Sequence, residues 1–401
     1  MRESAGAPKV PRPVKLLLFA NTEWYLFNFR LALAKTARAQ GAEVVLVSPP
    51  GPYGEKLRAE GFRWVPVPMA RRSLNPMREA FVLCALWRLY RRERPDIAHH
   101  FTIKCVVYGG LAAKGAGTRR IVSSVTGMGY VFSSQELLAR ILRPLVRSLL
   151  RFAMSGRKSR LIVQNAEDRR AVVDASLMAT SQVRLIAGSG VDTQRYRPRA
   201  DALCASGRPA AIVFAARLLW DKGVGEFVQA ARALRAEGLN VQFLVAGGPD
   251  AGNPASVPEE QLTAWREEGN VTLLGHVQDM PALMATADVV VLPSYREGVP
   301  RSLIEAAAAG LPIVTTDAPG CRAVVEDGVN GILVPVRDSA ALAAAIRKLV
   351  LDRALAARMG VASRQKALAQ FDERIVLANT LAVYQELVPE WRTADSLIVE
   401  R

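Results

Sequence analysis

Glu297 and Glu305 stand eight residues apart in Tyr295-Arg-Glu-Gly-Val-Pro-Arg-Ser-Leu-Ile-Glu305. Gly298 and Pro300 between them suit a turn and then a first helical position, so the spacing predicts a helix beginning near Pro300. One acid then lies in the turn and the other more than a turn inside the helix. The free N–H groups of such a helix start attract phosphate, and carboxylates on either side can accept hydroxyls, a pattern suited to a nucleotide sugar. Taken alone, the pair also reads as an acid at a helix start plus a solvated helix acid.

Other residues bear on that choice. Arg217 and Lys222 lie five apart in Phe214-Ala-Ala-Arg-Leu-Leu-Trp-Asp-Lys-Gly223. A guanidinium fork and an ammonium point charge together match a diphosphate, though a solvated loop can have the same composition. Val245-Ala-Gly-Gly-Pro249 closes another apolar run, where Gly247 permits close approach by a base or ribose, or makes a simple turn. His99 and His100 end a third run; one can hold a sugar hydroxyl or polarise a leaving group, or both can be structural. Thr315–Gly320 and Asp327–Gly331 read as turns first. No Asp-x-Asp triplet occurs in the chain. Metal-bridged diphosphate binding is therefore disfavoured, no cofactor or metal is expected, and cations with a helix start would replace the ion.

These residues need strands to place them. Val14–Ala20, Glu43–Ser48, Trp64–Val67, Ile97–His100, Arg120–Val125 and Leu161–Gln164 are apolar runs separated by helical patterns. The rhythm restarts with Ala211–Ala215, Val241–Ala246, Val271–Leu274, Val289–Leu292 and Ile313–Thr316. Continuous apolar strands alternating with helices predict parallel sheets covered on both faces, hence two doubly wound α/β domains. The expected division is a tail at 1–12, a first domain at 13–200, a second at 201–374 and a closing helical segment at 375–401. Asp338–Gln370 reads as Ala/Leu-rich helix and Ile375–Val388 as the final helix. Ligands of such sheets sit at the carboxyl ends of the strands. Asn21-Thr-Glu23, the two histidines, Arg217–Lys222 and Glu297 all fall there, so a cleft between the domains would gather them.

Bulk properties narrow the classes. The 401 residues, 50% hydrophobic, suffice for two cores. The net charge of +16 is uneven: residues 1–200 hold 34 Lys+Arg against 13 Asp+Glu (+21), and 201–401 hold 19 against 24 (−5). That field points to an anionic partner for the first half, a membrane surface or nucleic acid. Nucleic acid is disfavoured, since basic motifs interleaved with aromatics are absent. Four cysteines without CxxC spacing and three histidines argue against a zinc site or disulfide framework. Lys15–Ala20 is too short for a signal-peptide core, and no run approaches the roughly 18 apolar residues of a membrane span; a cytoplasmic protein is expected. Within Gln135–Arg160, Arg140, Arg143, Arg147 and Arg151 share one helical stripe beside Leu138, Ile141, Leu142, Leu145, Leu149 and Phe152. This suits a basic amphipathic helix lying on anionic lipid, or a core-packed helix with a solvated face, and Pro144 would kink it. Lone pairs such as Gly127-Met-Gly129 lack the third glycine of a dinucleotide fingerprint.

These residues, in this order, resemble the retaining, nucleotide-sugar-dependent glycosyltransferases of the GT-B fold that carry a Glu-x7-Glu motif (glycosyltransferase family 4-like). The resemblance spans nearly the whole chain and is strongest over Glu297–Gly331. His99-His-Phe-Thr-Ile-Lys104, Tyr108-Gly-Gly, Val125-Thr-Gly-Met-Gly-Tyr-Val-Phe132 and Arg296–Glu305 make it most similar to bacterial enzymes that extend polyprenyl-diphosphate-linked sugars. It implies that Arg217 and Lys222 hold the donor diphosphate, Glu297 the donor sugar and Glu305 the ribose. It further implies that the helix start, Val299–Ser302, aims backbone N–H groups at the phosphates, that Gly298, Val299, Pro300 and Arg301 bind the donor, and that His99 lines the sugar pocket. A nucleotide-sugar donor, with UDP the expected carrier, and a lipid-linked saccharide acceptor follow from it, as does a place on the cytoplasmic face of the inner membrane. Three positions depart from the pattern: Asn21-Thr-Glu-Trp24 replaces a glycine-rich loop, Phe101 stands where relatives carry a second His, and Ala323 stands where a glutamate is common. Asn21 is kept as an acceptor-side candidate. The alternative reading is a noncatalytic nucleotide-sugar- or saccharide-binding protein on the same fold, which slow donor hydrolysis would exclude.

Overall fold

The structure is a computed structural model and describes residues 12–70, 73, 75–125, 137–199, 208–250 and 252–391, with side chains from residue 144 onward in the helix that starts at Leu137. The first sheet contains β1 (Lys15–Phe19), β2 (Glu43–Ser48), β3 (Arg63–Pro66), β4 (Ile97–Phe101), β5 (Ile121–Ser124), β6 (Ser159–Val163) and β7 (Val183–Leu185), in the order β3-β2-β1-β4-β5-β6-β7. The second contains β8 (Ala210–Ala215), β9 (Val241–Ala246), β10 (Thr272–Gly275), β11 (Val289–Leu292), β12 (Ile313–Thr316) and β13 (Gly331–Val334), in the order β10-β9-β8-β11-β12-β13. Every strand pairing in both sheets is parallel.

The apolar runs explain this layering. Alternate residues of β1 point to opposite faces: Leu16 and Leu18 join one core, Leu17 and Phe19 another. Both faces are covered by helices, so an uninterrupted apolar strand exposes nothing. The second sheet has one large core running from Ile212 and Val290 to the helix Ser339–Leu351.

Four local features differ from the sequence reading. β7 and β13 are edge strands of three and four residues, too short to show a period. The helix expected over Asp338–Gln370 is two helices, Ser339–Leu351 and Arg353–Lys366, followed by a π-turn. Asp352 separates them because its carboxylate accepts the Leu355 N–H at 2.8 Å and so starts a new helix. The basic helix, Leu137–Met154, runs through Pro144 as one element.

The last helix, Glu373–Leu387, leaves the second domain and packs on the first. Its Val376, Leu381, Tyr384 and Leu387 share a core with Leu16, Leu18 and Val44. Val191 and Glu373 fix the crossing, since Val191 N–H donates to Phe371 O and Glu373 N–H to Val191 O, each at 2.9 Å. Glu386 accepts from Arg160 and Arg184 at 2.9 and 2.7 Å at its far end. Among the described residues, no helix is long and apolar enough to cross a membrane.

Candidate active site

The carboxyl ends of the two sheets face each other across a cleft of about 490 Å³. The second-domain wall carries Arg217, Lys222 and Glu297; the first-domain wall carries Tyr25, Phe29 and Arg30. Lys222 closes a short 3₁₀ turn after β8, and Glu297 lies in the loop from β11 to the helix Arg301–Ala308. That helix starts one residue later than predicted, with Pro300 as its cap residue in extended conformation.

The loop holding Glu297 is fixed from three sides. Tyr295 N–H donates to Asp221 O at 2.9 Å and Glu297 N–H to Pro319 O at 3.2 Å. Asn165 Nδ2, from the first domain, donates to Gly298 O at 2.8 Å. Gly320 sits beneath at φ +81, where an added Cβ would lie 2.2 Å from Gly298 O. The turn sequence Thr315–Gly320 therefore serves as a floor for the acidic loop.

On this floor Lys222 forms an ion pair with Glu297, whose Oε1 also accepts the Ser294 hydroxyl at 2.8 Å. Both side chains are less than one-fifth exposed. The pair places one positive and one negative group together in a partly dry site, where each holds the other in a single geometry. Cys321 lies buried behind it; burial first, and then the Glu297 charge, push its thiol up to about 11. Arg217 stands at the mouth, half exposed and paired with Asp250 at 2.5 Å.

Glu305 is buried within the helix and does not line the cleft. It accepts Arg301 Nε at 2.8 Å and adds to the rise in the Tyr196 phenol pKa that burial chiefly causes. Arg301 then reaches across to Asn28 O at 2.7 Å and covers the Phe29 ring. Gly298, Val299, Pro300 and Arg301 line the cavity.

Three candidates lie elsewhere. His99 does not line the cleft: it is 1% exposed, with Nδ1 2.5 Å from Tyr384 Oη, Nε2 2.7 Å from Ser124 Oγ, and the Phe101 ring tilted against it at 4.0 Å. It ties the returning helix to the first sheet. Gly247 is required by its own fold, because at φ +144 an added Cβ would lie 1.8 Å from Ala216 O. Asn21 is half-buried in the bend after β1, where its neighbour Thr22 caps a short helix, and it is not among the cavity residues. Of the basic stripe, Arg140 and Arg143 lie outside the residues whose side chains are described. Arg147 and Arg151 are exposed, as are Leu145 and Phe152, while Leu150, Ala153 and Met154 are buried. The helix thus has an inner face packed in the core and an outer face mixing cations with apolar side chains. The motif Gly127-Met-Gly129 lies outside the described residues.

Burial also holds both histidines neutral. It pushes His99 well below its ordinary value, with help from the Arg30 charge, and His100 to about 3. Unfolded, each takes up a proton near pH 6.5. The native state therefore binds fewer protons than the unfolded state, and stability present above pH 6.5 is lost as pH falls toward 3. The slope approaches about 1.4 kcal/mol per pH unit for each histidine. Urea midpoints between pH 7 and 4 should show this fall, and His100→Asn should flatten it.

Residues that sequence reasoning missed are Asn165, Ser294 and Arg30. Asn165 and Ser294 follow β6 and β11 at their carboxyl ends, so the positional rule that found Lys222 would also have found them.

Two Rossmann-like domains, parallel strand ends facing across a cleft and a helix returning to the first domain define the GT-B architecture. A family model described as glycosyl transferases group 1 matches residues 209–352, and one described as glycosyl transferase 4-like matches residues 15–165. The chain belongs to this family of glycosyltransferases. It is 27% identical over 374 residues to the N,N'-diacetylbacillosaminyl-diphospho-undecaprenol alpha-1,3-N-acetylgalactosaminyltransferase of Campylobacter jejuni, covering 90% of this chain and 96% of the relative. The UDP-Gal:alpha-D-GlcNAc-diphosphoundecaprenol alpha-1,3-galactosyltransferase of Escherichia coli is 24% identical over 298 residues, 72% of this chain and 75% of the relative. Among solved structures, Anabaena HepE in complex with UDP superposes with a TM-score of 0.72 at 20% identity, covering 93% of this chain and all of that one. This last likeness concerns the fold.

Proposed function

We propose that this glycosyltransferase moves a hexose or N-acetylhexosamine from a UDP-sugar to a polyprenyl-diphosphate-linked saccharide, with retention at the anomeric carbon and without a metal ion. The observation that carries the reading is the Lys222–Glu297 pair, set beside Arg217 and the start of the helix Arg301–Ala308 in one interdomain cleft. As the sugar–phosphate bond breaks, the sugar becomes oxocarbenium-like and the diphosphate gains charge. Lys222, Arg217 and the helix N–H groups lie where that charge develops; such preorganised donors are worth about 3–4 kcal/mol each. Glu297 orients Lys222 and offers its carboxylate to donor-sugar hydroxyls. Of the two acids on the cleft wall, among the described residues, Asp221 is exposed and Glu297, partly buried, is engaged by Lys222 and Ser294 rather than poised as a base. The departing phosphate oxygen can take the acceptor proton on the same face, which gives retention. Glu305 meets the ribose by exchanging its Arg301 contact for hydroxyls. The activities of the Campylobacter and Escherichia relatives favour the acceptor class, and the second favours UDP.

The outer face of the helix Leu137–Met154, with Arg147, Arg151, Leu145 and Phe152, would hold the enzyme on the anionic cytoplasmic face of the membrane where such acceptors lie. One set of measurements tests the whole reading. UDP-sugars, but not GDP- or ADP-sugars, should raise the unfolding temperature. The UDP-sugar that does so should be transferred to a synthetic polyprenyl-diphosphate saccharide in the presence of EDTA, with the anomeric configuration kept. Sedimentation with anionic vesicles should weaken when Arg147 and Arg151 are neutralised. No shift with any UDP-sugar, hydrolysis without transfer, loss of activity in EDTA or unchanged sedimentation would each remove the corresponding part.

A further inference from the structure

Arg30 closes the π-turn Leu26–Arg30 after β1 and lines the first-domain wall of the cleft, opposite Lys222 and Arg217. It is only 7% exposed. Its Nη2 donates to Tyr25 Oη at 2.8 Å, and its guanidinium lies over the rings of Phe101 and Tyr25 at 4.5 and 5.4 Å. All of these partners are neutral. Its buried Nε–H has no acceptor, and no ion pair among the described residues includes it. Arg160, comparably enclosed by side chain, has Glu386. A guanidinium presents five donors in a fixed fork and remains charged at any working pH, so burying it beside rings and one hydroxyl leaves charge and donors uncompensated. A structural arginine would bring its acid with it. An arginine kept free of acid, on the wall of a cavity whose other wall carries Arg217, Lys222, Arg296 and Arg301, suits a substrate rich in negative charge.

We propose that Arg30 is a diphosphate-binding residue contributed by the first domain, taking a phosphate oxygen of a substrate held in the cleft. The inference rests on the glycosyl-transfer reading and adds a residue and a wall to it. Since Arg30 is fixed to the first domain and Lys222 to the second, a diphosphate touching both would draw the domains together, and the Arg301–Asn28 contact already brings the segment next to Arg30 against the helix start. Donor and acceptor both carry a diphosphate in the proposed reaction, and the two sources are separable.

Calorimetric titration with UDP and kinetics with two acceptors, a polyprenyl-diphosphate saccharide and its uncharged alkyl glycoside, supply the test. If the donor is the ligand, Arg30→Met weakens UDP at least tenfold. If the acceptor is the ligand, UDP binding is kept and KM rises at least tenfold for the diphosphate acceptor alone. Either result supports the proposal, and Arg30→Lys, which restores the charge, should recover part of the loss. Unchanged UDP affinity together with unchanged KM, in a variant with a normal thermal transition, overturns it. Should Arg30→Met not fold, the Arg30 Nε–H resonance of the unaltered protein is followed: it shifts with UDP or with the diphosphate acceptor, and a resonance unmoved by saturating amounts of both overturns the proposal. Lys222→Ala serves as the control. If that variant also binds UDP normally, the donor-site reading itself has failed, whatever Arg30 does.

Discussion

Lys222→Ala and Glu297→Gln should each lower transfer by about 10²–10³-fold while leaving the thermal transition within a few degrees of the unaltered protein. The size follows from the position of the two groups. Lys222 is the enclosed cation of the second-domain wall, and removing one preorganised donor from a developing phosphate charge costs about 2.7–4 kcal/mol. Glu297→Gln keeps the shape and removes the charge that orients the ammonium. The two variants should also differ. Lys222→Ala leaves a carboxylate without its cation and should weaken UDP itself, whereas Glu297→Gln leaves Lys222 free for phosphate and should lower kcat more than it weakens UDP. Because the two side chains act as one unit, the double variant should be little worse than the poorer single one. Losses that add in full would show that Lys222 and Glu297 act independently, and turnover unchanged in either single variant would remove the site.

The class of the molecule was legible because both of its signals are local. A buried parallel strand announces itself as a short apolar run, and all eleven such runs end within two residues of an observed strand end. The polar residues that follow those runs then mark the cleft without knowledge of its shape, which is how Lys222, Arg217 and Glu297 could be found. What sequence could not show is which side chain another part of the chain covers. His99 sits at a strand end like the others, yet Tyr384, 285 residues away, descends on it with the returning helix and takes one ring nitrogen. Gly247 is a similar case, since the loop that requires it is formed by Ala216 on the neighbouring strand. Arg30 failed in the opposite direction: within Trp24-Tyr-Leu-Phe-Asn-Phe-Arg30 it reads as the polar end of an apolar helix. Only the structure shows that it is buried with rings around it and no acid beside it.

Gly320→Ala should damage both stability and turnover, although Gly320 is not among the residues lining the cleft. A Cβ there would lie 2.2 Å from Gly298 O and 2.5 Å from Glu297 O, both backbone atoms that cannot swing aside as a side chain would, and the φ of +81 is itself unfavourable for alanine. The protein must either retain the loop and accept the strain, about 1–3 kcal/mol, or lift Glu297 off its floor. Displacement by an ångström at a reacting centre is enough to cost about 10²-fold in rate. Gly328→Ala separates the two effects. Its φ is +74 but no atom lies within 4 Å of the added Cβ, so it bears the backbone cost alone, about 1–2 kcal/mol, and turnover should remain normal. Thermal unfolding and kcat measured on both variants decide the matter: equal behaviour of the two would mean that Gly320 is only a turn, whereas loss of turnover confined to Gly320→Ala would show that the height of this floor sets the position of the catalytic acid.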